Sequence, residues 1–280
     1  MLQALVNAGF QVSVLTRAQK PGAHFSNVKV IEVDFTSVDS LTAALKDVDA
    51  VVSTVGGSAV ESQIPLIDAA IAARVKRFIP SDFGNVTTNP KLEPIPLYTP
   101  MFKIRQYLEQ KAAAGQLSWT VLASGAFLDL ILNTTSLLDF QNHTALLIDE
   151  GDNRISATSL AKIGEATASI LKNPDATKNR IVRVSEAILT QNQLIGFASE
   201  LEPKATWSTS KERSDVLLQE GLKQLGAGDF GMPAIMKVMK GTALAGNTYG
   251  SAFDVTDNAL LGIQELAPAD IKKLLSEKLN

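Results

Sequence analysis

Residues 1–17 read MLQALVNAGFQVSVLTR, and this stretch decides the fold. Leu2, Leu5 and Val6 fall at helical spacing, Gly9 ends the turn, and Val12–Thr16 is a short apolar strand. Helix, turn and strand form the second half of a βαβ unit. The strand and glycine-rich loop that open such a unit are missing from the pattern, because the chain starts inside the helix. The following residues continue the alternation. Val28–Val33 reads as a strand ending at Asp34, and Ser37–Lys46 as a helix with Thr36 or Ser37 as its N-cap. Asp49–Val55 is an apolar strand ending at Gly56-Gly57, and Val60–Arg74 a helix with a stripe through Ile64, Ile67 and Ile71. Arg77–Ile79 is a short strand, Ser81–Pro100 a proline-rich loop, Met101–Ala114 a helix and Ser118–Leu122 a strand.

These strand runs are Val/Ile-rich instead of alternating, as expected for a parallel sheet covered on both faces. The expected fold class is α/β: a Rossmann-type doubly wound parallel sheet of order 3-2-1-4-5-6, lacking its first strand and Gly-rich loop. A smaller, mostly helical part follows. Phe127–Phe140 begins as a helix; Ser159–Lys172, Gln191–Leu201 (capped by Thr190), Lys211–Leu225 and Ala267–Lys278 are further helices. Arg180–Val184 is a strand, and Gly226–Gly231 a glycine-rich link to a Met-bearing helix. The expected division is a dinucleotide-binding domain over residues 1–125 and a substrate domain over 126–280, with about 150–185 returning to the first.

Composition excludes several functions. At 280 residues and 45% hydrophobic, the chain can build a full core. A net charge of −3 gives no electrostatic grip on nucleic acid. No cysteine is present, and His24 and His143 are the only histidines, so thiolate chemistry and a His-rich metal cluster are excluded. No apolar run reaches bilayer-spanning length, and Met1 does not open a secretory signal. The expectation is a soluble cytoplasmic protein, monomer or homodimer, acting on a small molecule.

Loops at the carboxyl ends of parallel strands form the ligand crevice of such folds. Arg17 ends the second strand of the expected sheet. An acid there would accept from ribose hydroxyls and favour NAD, whereas the Arg17 fork suits a 2′-phosphate, hence NADP(H), with Lys20 assisting. Asp34 either caps the next turn or borders the adenine pocket. Thr54, Val55 and Gly56 are small enough for close approach to a flat nucleotide, although a plain strand-to-helix turn would use the same residues. Gln63 offers an amide in the following helix. Lys103, early in its helix and beside the crevice, can exchange a proton with a substrate oxygen; the alternative is a solvated helix lysine. Tyr107 and Lys111 have the i, i+4 spacing of a Tyr-x-x-x-Lys pair but sit too far along the helix. Met232, Met236 and Met239 fit a core stripe, or a flexible pocket lining for an aromatic substrate.

At these residues the chain resembles the NmrA-like and isoflavone reductase-like family of atypical short-chain dehydrogenases. The matching blocks are ALVNAGFQVSVLTR (4–17), DAVVSTVGG (49–57), QIPLIDAAIAARVKRFIPSDFG (63–84) and Phe102-Lys103-Ile104-Arg105. WTVLASGAF (119–127) and ISATSLAKIGEATASIL (155–171) extend it. The resemblance implies that Arg17 binds the 2′-phosphate, that Thr54, Val55, Gly56 and Gln63 contact the cofactor, and that Lys103 is the acid/base. It further implies that Pro80, Ser81 and Phe83 shape the cofactor edge, while Ser124, Gly125 and Phe127 face the nicotinamide or substrate. The implied activity is NADPH-dependent reduction of an aromatic or enone-like molecule. The alternatives are a non-catalytic NADP-binding regulator of the NmrA type and an inactive truncated form.

Overall fold

The computed structural model describes residues 1–18, 28–135 and 137–279, leaving the Ser58 side chain aside. The chain runs α1 (Leu2–Asn7), β1 (Ser13–Thr16), β2 (Lys29–Glu32), α2 (Val38–Ala44), β3 (Ala50–Val52), α3 (Gln63–Ala72), β4 (Arg77–Ile79) and α4 (Thr99–Ala113). It continues through β5 (Ser118–Ala123), β6 (Ala126–Phe127), α5 (Leu128–Asn133), β7 (Thr144–Ile148), β8 (Ile155–Thr158), α6 (Leu160–Lys172), β9 (Arg180–Arg183) and β10 (Ala187–Leu189). The remainder is α7 (Gln191–Leu201), β11 (Ser208–Glu212), α8 (Ser214–Gly226), α9 (Met232–Ala243), α10 (Asn258–Leu261) and α11 (Pro268–Leu279). Two compact units share this chain. The first takes Met1–Phe83, Pro100–Leu122 and Ile163–Val182; the second takes Gly84–Thr99, Ala123–Lys162 and Arg183–Asn280.

In the first unit β1 and β2 pair in parallel, with Ser13 opposite Lys29 and Thr16 opposite Glu32. A second sheet runs β3-β4-β5-β9, with β3–β4 and β4–β5 parallel. Among the described residues the two sheets share no ladder; in the expected order one strand stands between β1 and β3. Phe78 and Ile79 of β4 are fully buried, as befits an inner strand covered on both faces. Phe78 packs in a core with Leu41, Ile67, Leu108 and Trp119. Ser37 caps α2, its Oγ accepting from the Ser40 amide at 3.2 Å. At Gly164 a Cβ would lie 2.8 Å from the Ala4 Cβ, so the glycine lets α6 approach α1.

Arg77 is buried in β4, and among the described residues no carboxylate accepts from its guanidinium. The group donates instead to Ser118 Oγ (2.9 Å), Thr120 Oγ1 (2.7 Å), Thr177 Oγ1 (3.1 Å) and the Pro174 carbonyl (2.6 Å). Burial lowers its pKa, with the nearby Asp175 charge opposing the shift. The donor set joins β4 and β5 to the residues just before β9.

The second unit is helical, as expected, but also carries short strands that the hydrophobic pattern did not mark. Its three-stranded sheet runs β10-β8-β6, antiparallel between β10 and β8 and parallel between β6 and β8. β7 and β11 form a parallel pair. The core gathers Leu128, Leu138, Ile148, Leu189, Leu194 and Leu275. Gln191 is buried among them, its Oε1 accepting from the Ile148 amide at 2.8 Å and its Nε2 donating to the Leu146 carbonyl at 2.9 Å. Thr190 caps α7, accepting from the Gln193 amide at 3.0 Å. The helix read from Lys211 starts at Ser214, because β11 carries the chain in extended form through Glu212.

Glycines bring α8 and α9 together. A Cβ on Gly241 would lie 2.6 Å from the Leu218 amide nitrogen, and one on Gly221 would lie 2.9 Å from that of Val238. Backbone meets backbone at both points.

Candidate functional site

In the first unit the strand ends supply the candidate residues. Arg17 follows β1 and Asp34 follows β2, and both line a cleft of about 500 Å³ with Glu32, Phe35, Thr36 and Ser40. Arg17 is exposed and forms no ion pair or hydrogen bond with the described residues. Asp34 Oδ1 accepts from the Thr36 amide (2.8 Å) and hydroxyl (2.7 Å), while its own amide donates to Ser40 Oγ (3.2 Å). The Thr36 side-chain and backbone hydrogen bonds hold the Asp34 carboxyl below its ordinary range. It therefore both organises its turn and borders the cleft. Lys20 lies outside the described residues.

Thr54, Val55 and Gly56 follow β3 in a loop that enters a short 3-10 turn, Gly57–Ser62. A Cβ at Gly56 or Gly57 would meet nothing within 4 Å, so open space lies over both. Gln63 is buried, and it straps two loops together. Its Oε1 accepts from the Ser81 amide at 2.8 Å and its Nε2 donates to the Val60 carbonyl at 3.1 Å. Ser81 Oγ in turn donates to the Val55 carbonyl at 2.8 Å. Pro80 is buried, and Ser81 and Phe83 are half-buried beside it. These bonds fix the loops after β3 and β4 against each other.

Lys103 lies early in α4. Its neighbours Phe102 and Ile104 turn into the core, and Arg105 stacks over the Phe102 ring at 4.4 Å. Lys103 itself projects outward, 59% exposed, with Nζ 3.1 Å from Glu61 Oε1. Glu61 stands in the 3-10 turn, forty-two positions away, and nothing in the local pattern announces the pairing. Tyr107 and Lys111 are engaged elsewhere: the phenol donates to Asp68 Oδ1 at 2.5 Å, and Lys111 Nζ lies 3.9 Å from the same oxygen. Burial and the Asp68 hydrogen bond, in that order, raise the Tyr107 pKa, which keeps the phenol neutral.

In the second unit Ser124 is fully buried. Gly125 turns the chain with φ +73°, and a Cβ there would stand 2.3 Å from the Ser156 carbonyl oxygen. Only glycine fits this position. Phe127 is half-buried in β6, opposite Thr158 of β8.

The model of the NmrA-like family matches residues 1–213. The chain is 28% identical over 282 residues to "Oxidoreductase poxI" of Penicillium oxalicum, covering 97% of this chain and 88% of that protein. A crystal structure of isoflavone reductase superposes with a TM-score of 0.76 at 19% identity, covering 99% of this chain and 94% of the other. The binary complex of leucoanthocyanidin reductase with NADPH from Vitis vinifera gives 0.71 at 19% identity, with the same coverage.

Proposed function

Because the chain belongs to the NmrA-like family, we propose that it is a cytoplasmic NADPH-dependent reductase of the isoflavone reductase-like type, acting on an aromatic or enone-like small molecule. The observation that carries the reading is the cleft holding Arg17 at the end of β1, where the guanidinium has no ion-pair partner among the described residues. A guanidinium without a carboxylate partner suits a 2′-phosphate, to which it donates bidentately. The residues fit the cofactor at a second place, since the space over Gly56 and Gly57 leaves room for a flat group beside the backbone.

When bound, the dinucleotide supplies a hydride. Arg17 would hold its 2′-phosphate, with Asp34 at the adenine side and Thr54, Val55 and Gly56 along its length. Gln63 and Ser81 lock the loops that shape this edge, together with Pro80 and Phe83. Lys103 would hold or release a proton at the substrate oxygen, and Glu61 would orient its ammonium. Ser124, Gly125 and Phe127 join the proposal through the family resemblance, on the nicotinamide or substrate side. A cofactor-binding regulator without turnover is the second reading. The exposed, ion-paired state of Lys103 favours it.

Calorimetric titration with NADPH and NADH tests the cofactor assignment. Arg17→Glu should weaken NADPH by roughly tenfold or more, about 1.4 kcal/mol, and abolish the preference over NADH. An unchanged preference would overturn the role of Arg17. Lys103→Ala should keep NADPH affinity while turnover of aromatic enones falls by roughly a hundredfold or more. Full turnover in that variant would remove Lys103 from the chemistry.

A further inference from the structure

A second cleft lies wholly within the second unit and belongs to none of the residues assigned above. It measures about 400 Å³ and opens along the parallel pair β7–β11. The register sets Thr144 opposite Ser208 and Leu146 opposite Ser210, so hydroxyls and apolar carbons share its wall. Leu138 adds apolar surface. Lys240 of α9 brings the ammonium, and it has no ion-pair or hydrogen-bond partner for that group among the described residues. Burial alone lowers its pKa. Asp139 also lines the cleft, but its two carboxylate oxygens accept from the Asn142 amide (2.9 Å) and side-chain nitrogen (2.8 Å), which holds them in their own turn.

A partly desolvated cation without a counter-charge is costly until an anion meets it. Hydroxyls complete the coordination of a carboxylate, since each can donate one hydrogen bond. The Asp139 charge at the wall disfavours a dianion. Leucine carbons suit an apolar body, and the volume falls in the usual range for small ligands. We propose that this cleft binds a small monocarboxylate with an apolar body. Its carboxylate sits on Lys240 and the hydroxyls of Thr144, Ser208 and Ser210, and its body lies against Leu138 and Leu146.

The test is calorimetric titration of the whole chain with benzoate, with benzyl alcohol as the neutral analogue and inorganic phosphate as the competing anion. Benzoate should saturate one site per chain, with benzyl alcohol and phosphate both weaker by about tenfold. Lys240→Met should weaken benzoate by about tenfold or more, and Lys240→Arg by less. Arg17→Glu, in the other cleft, should leave benzoate unchanged. Ser210→Val is the second probe if Lys240→Met melts early, and it should weaken benzoate several-fold. The proposal fails if benzoate does not saturate, if phosphate binds more tightly, if Arg17→Glu removes binding, or if neither Lys240→Met nor Ser210→Val weakens it.

Discussion

Tyr98 shows how one buried hydroxyl couples stability to pH. Its oxygen lies 2.6 Å from Thr242 Oγ1, and the threonine hydroxyl donates back to the Val238 carbonyl at 2.8 Å. The phenol is therefore the donor between the two. Burial pushes its pKa up to about 12. Below the ordinary value of 10 the phenol is neutral in both folded and unfolded chains. Between pH 10 and 12 the unfolded chain gives up this proton while the native chain keeps it, so stability falls as pH rises. That loss should reach about 2 kcal/mol at the top of the window. Tyr98→Phe should lose about 1 kcal/mol at neutral pH and show a flatter decline across the window, read by urea melts at stepped pH. At this scale the sequence marks positions only where a residue stands at a strand end. Arg17 and Asp34 are such residues, and both line one cleft. The partners of Lys103 and Tyr107 were not legible, because Glu61 and Asp68 reach them only after α3 and α4 have packed.

Among the elements, α8 and α9 meet where side chains are missing. Gly241→Ala would drive a methyl against the Leu218 amide, a backbone atom that cannot swing aside. Overpacking of this kind costs about 1–3 kcal/mol, against about 1 kcal/mol that alanine returns in helix propensity. A net loss is expected in a denaturant melt. Gly226→Ala, at the end of α8 with nothing within 4 Å of the added carbon, should be neutral or stabilising and serves as the control. The glycines of α8 and α9 carried no signal of this role, because their neighbours lie on another helix. The elements of the first unit were legible, since each strand carries Val, Ile or Leu in a short apolar stretch and α2 opens on a capping serine. β11 was hidden for the opposite reason. Its residues, Ser208–Glu212, are polar and mostly exposed, so no apolar alternation marks them, and only the ladder to β7 makes them a strand.

For the molecule as a whole, Arg77 binds together segments a hundred positions apart in the chain. Its acceptors at Pro174 and Thr177 precede β9, and the Asn179 amide donates to the Trp119 carbonyl at 2.8 Å. Residues 177–182 should therefore open in concert with β4 and β5. In hydrogen exchange, Arg77→Met should speed the amides of 177–182 and of Ser118–Val121 together, leaving those of α7 unchanged. Faster exchange confined to 177–182 would contradict the coupling. The interleaving of the two units has a further consequence, for how such a chain can be divided. Each unit draws on three separate stretches, and the polypeptide passes between them five times. No single cut yields one intact unit and one intact remainder. A gene-fusion or recombination event that breaks the chain at any of these passages divides at least one of the two units between the halves. For selection and for protein engineering alike, the whole stretch behaves as one inheritable module, and new specificities must be found by substitution within it.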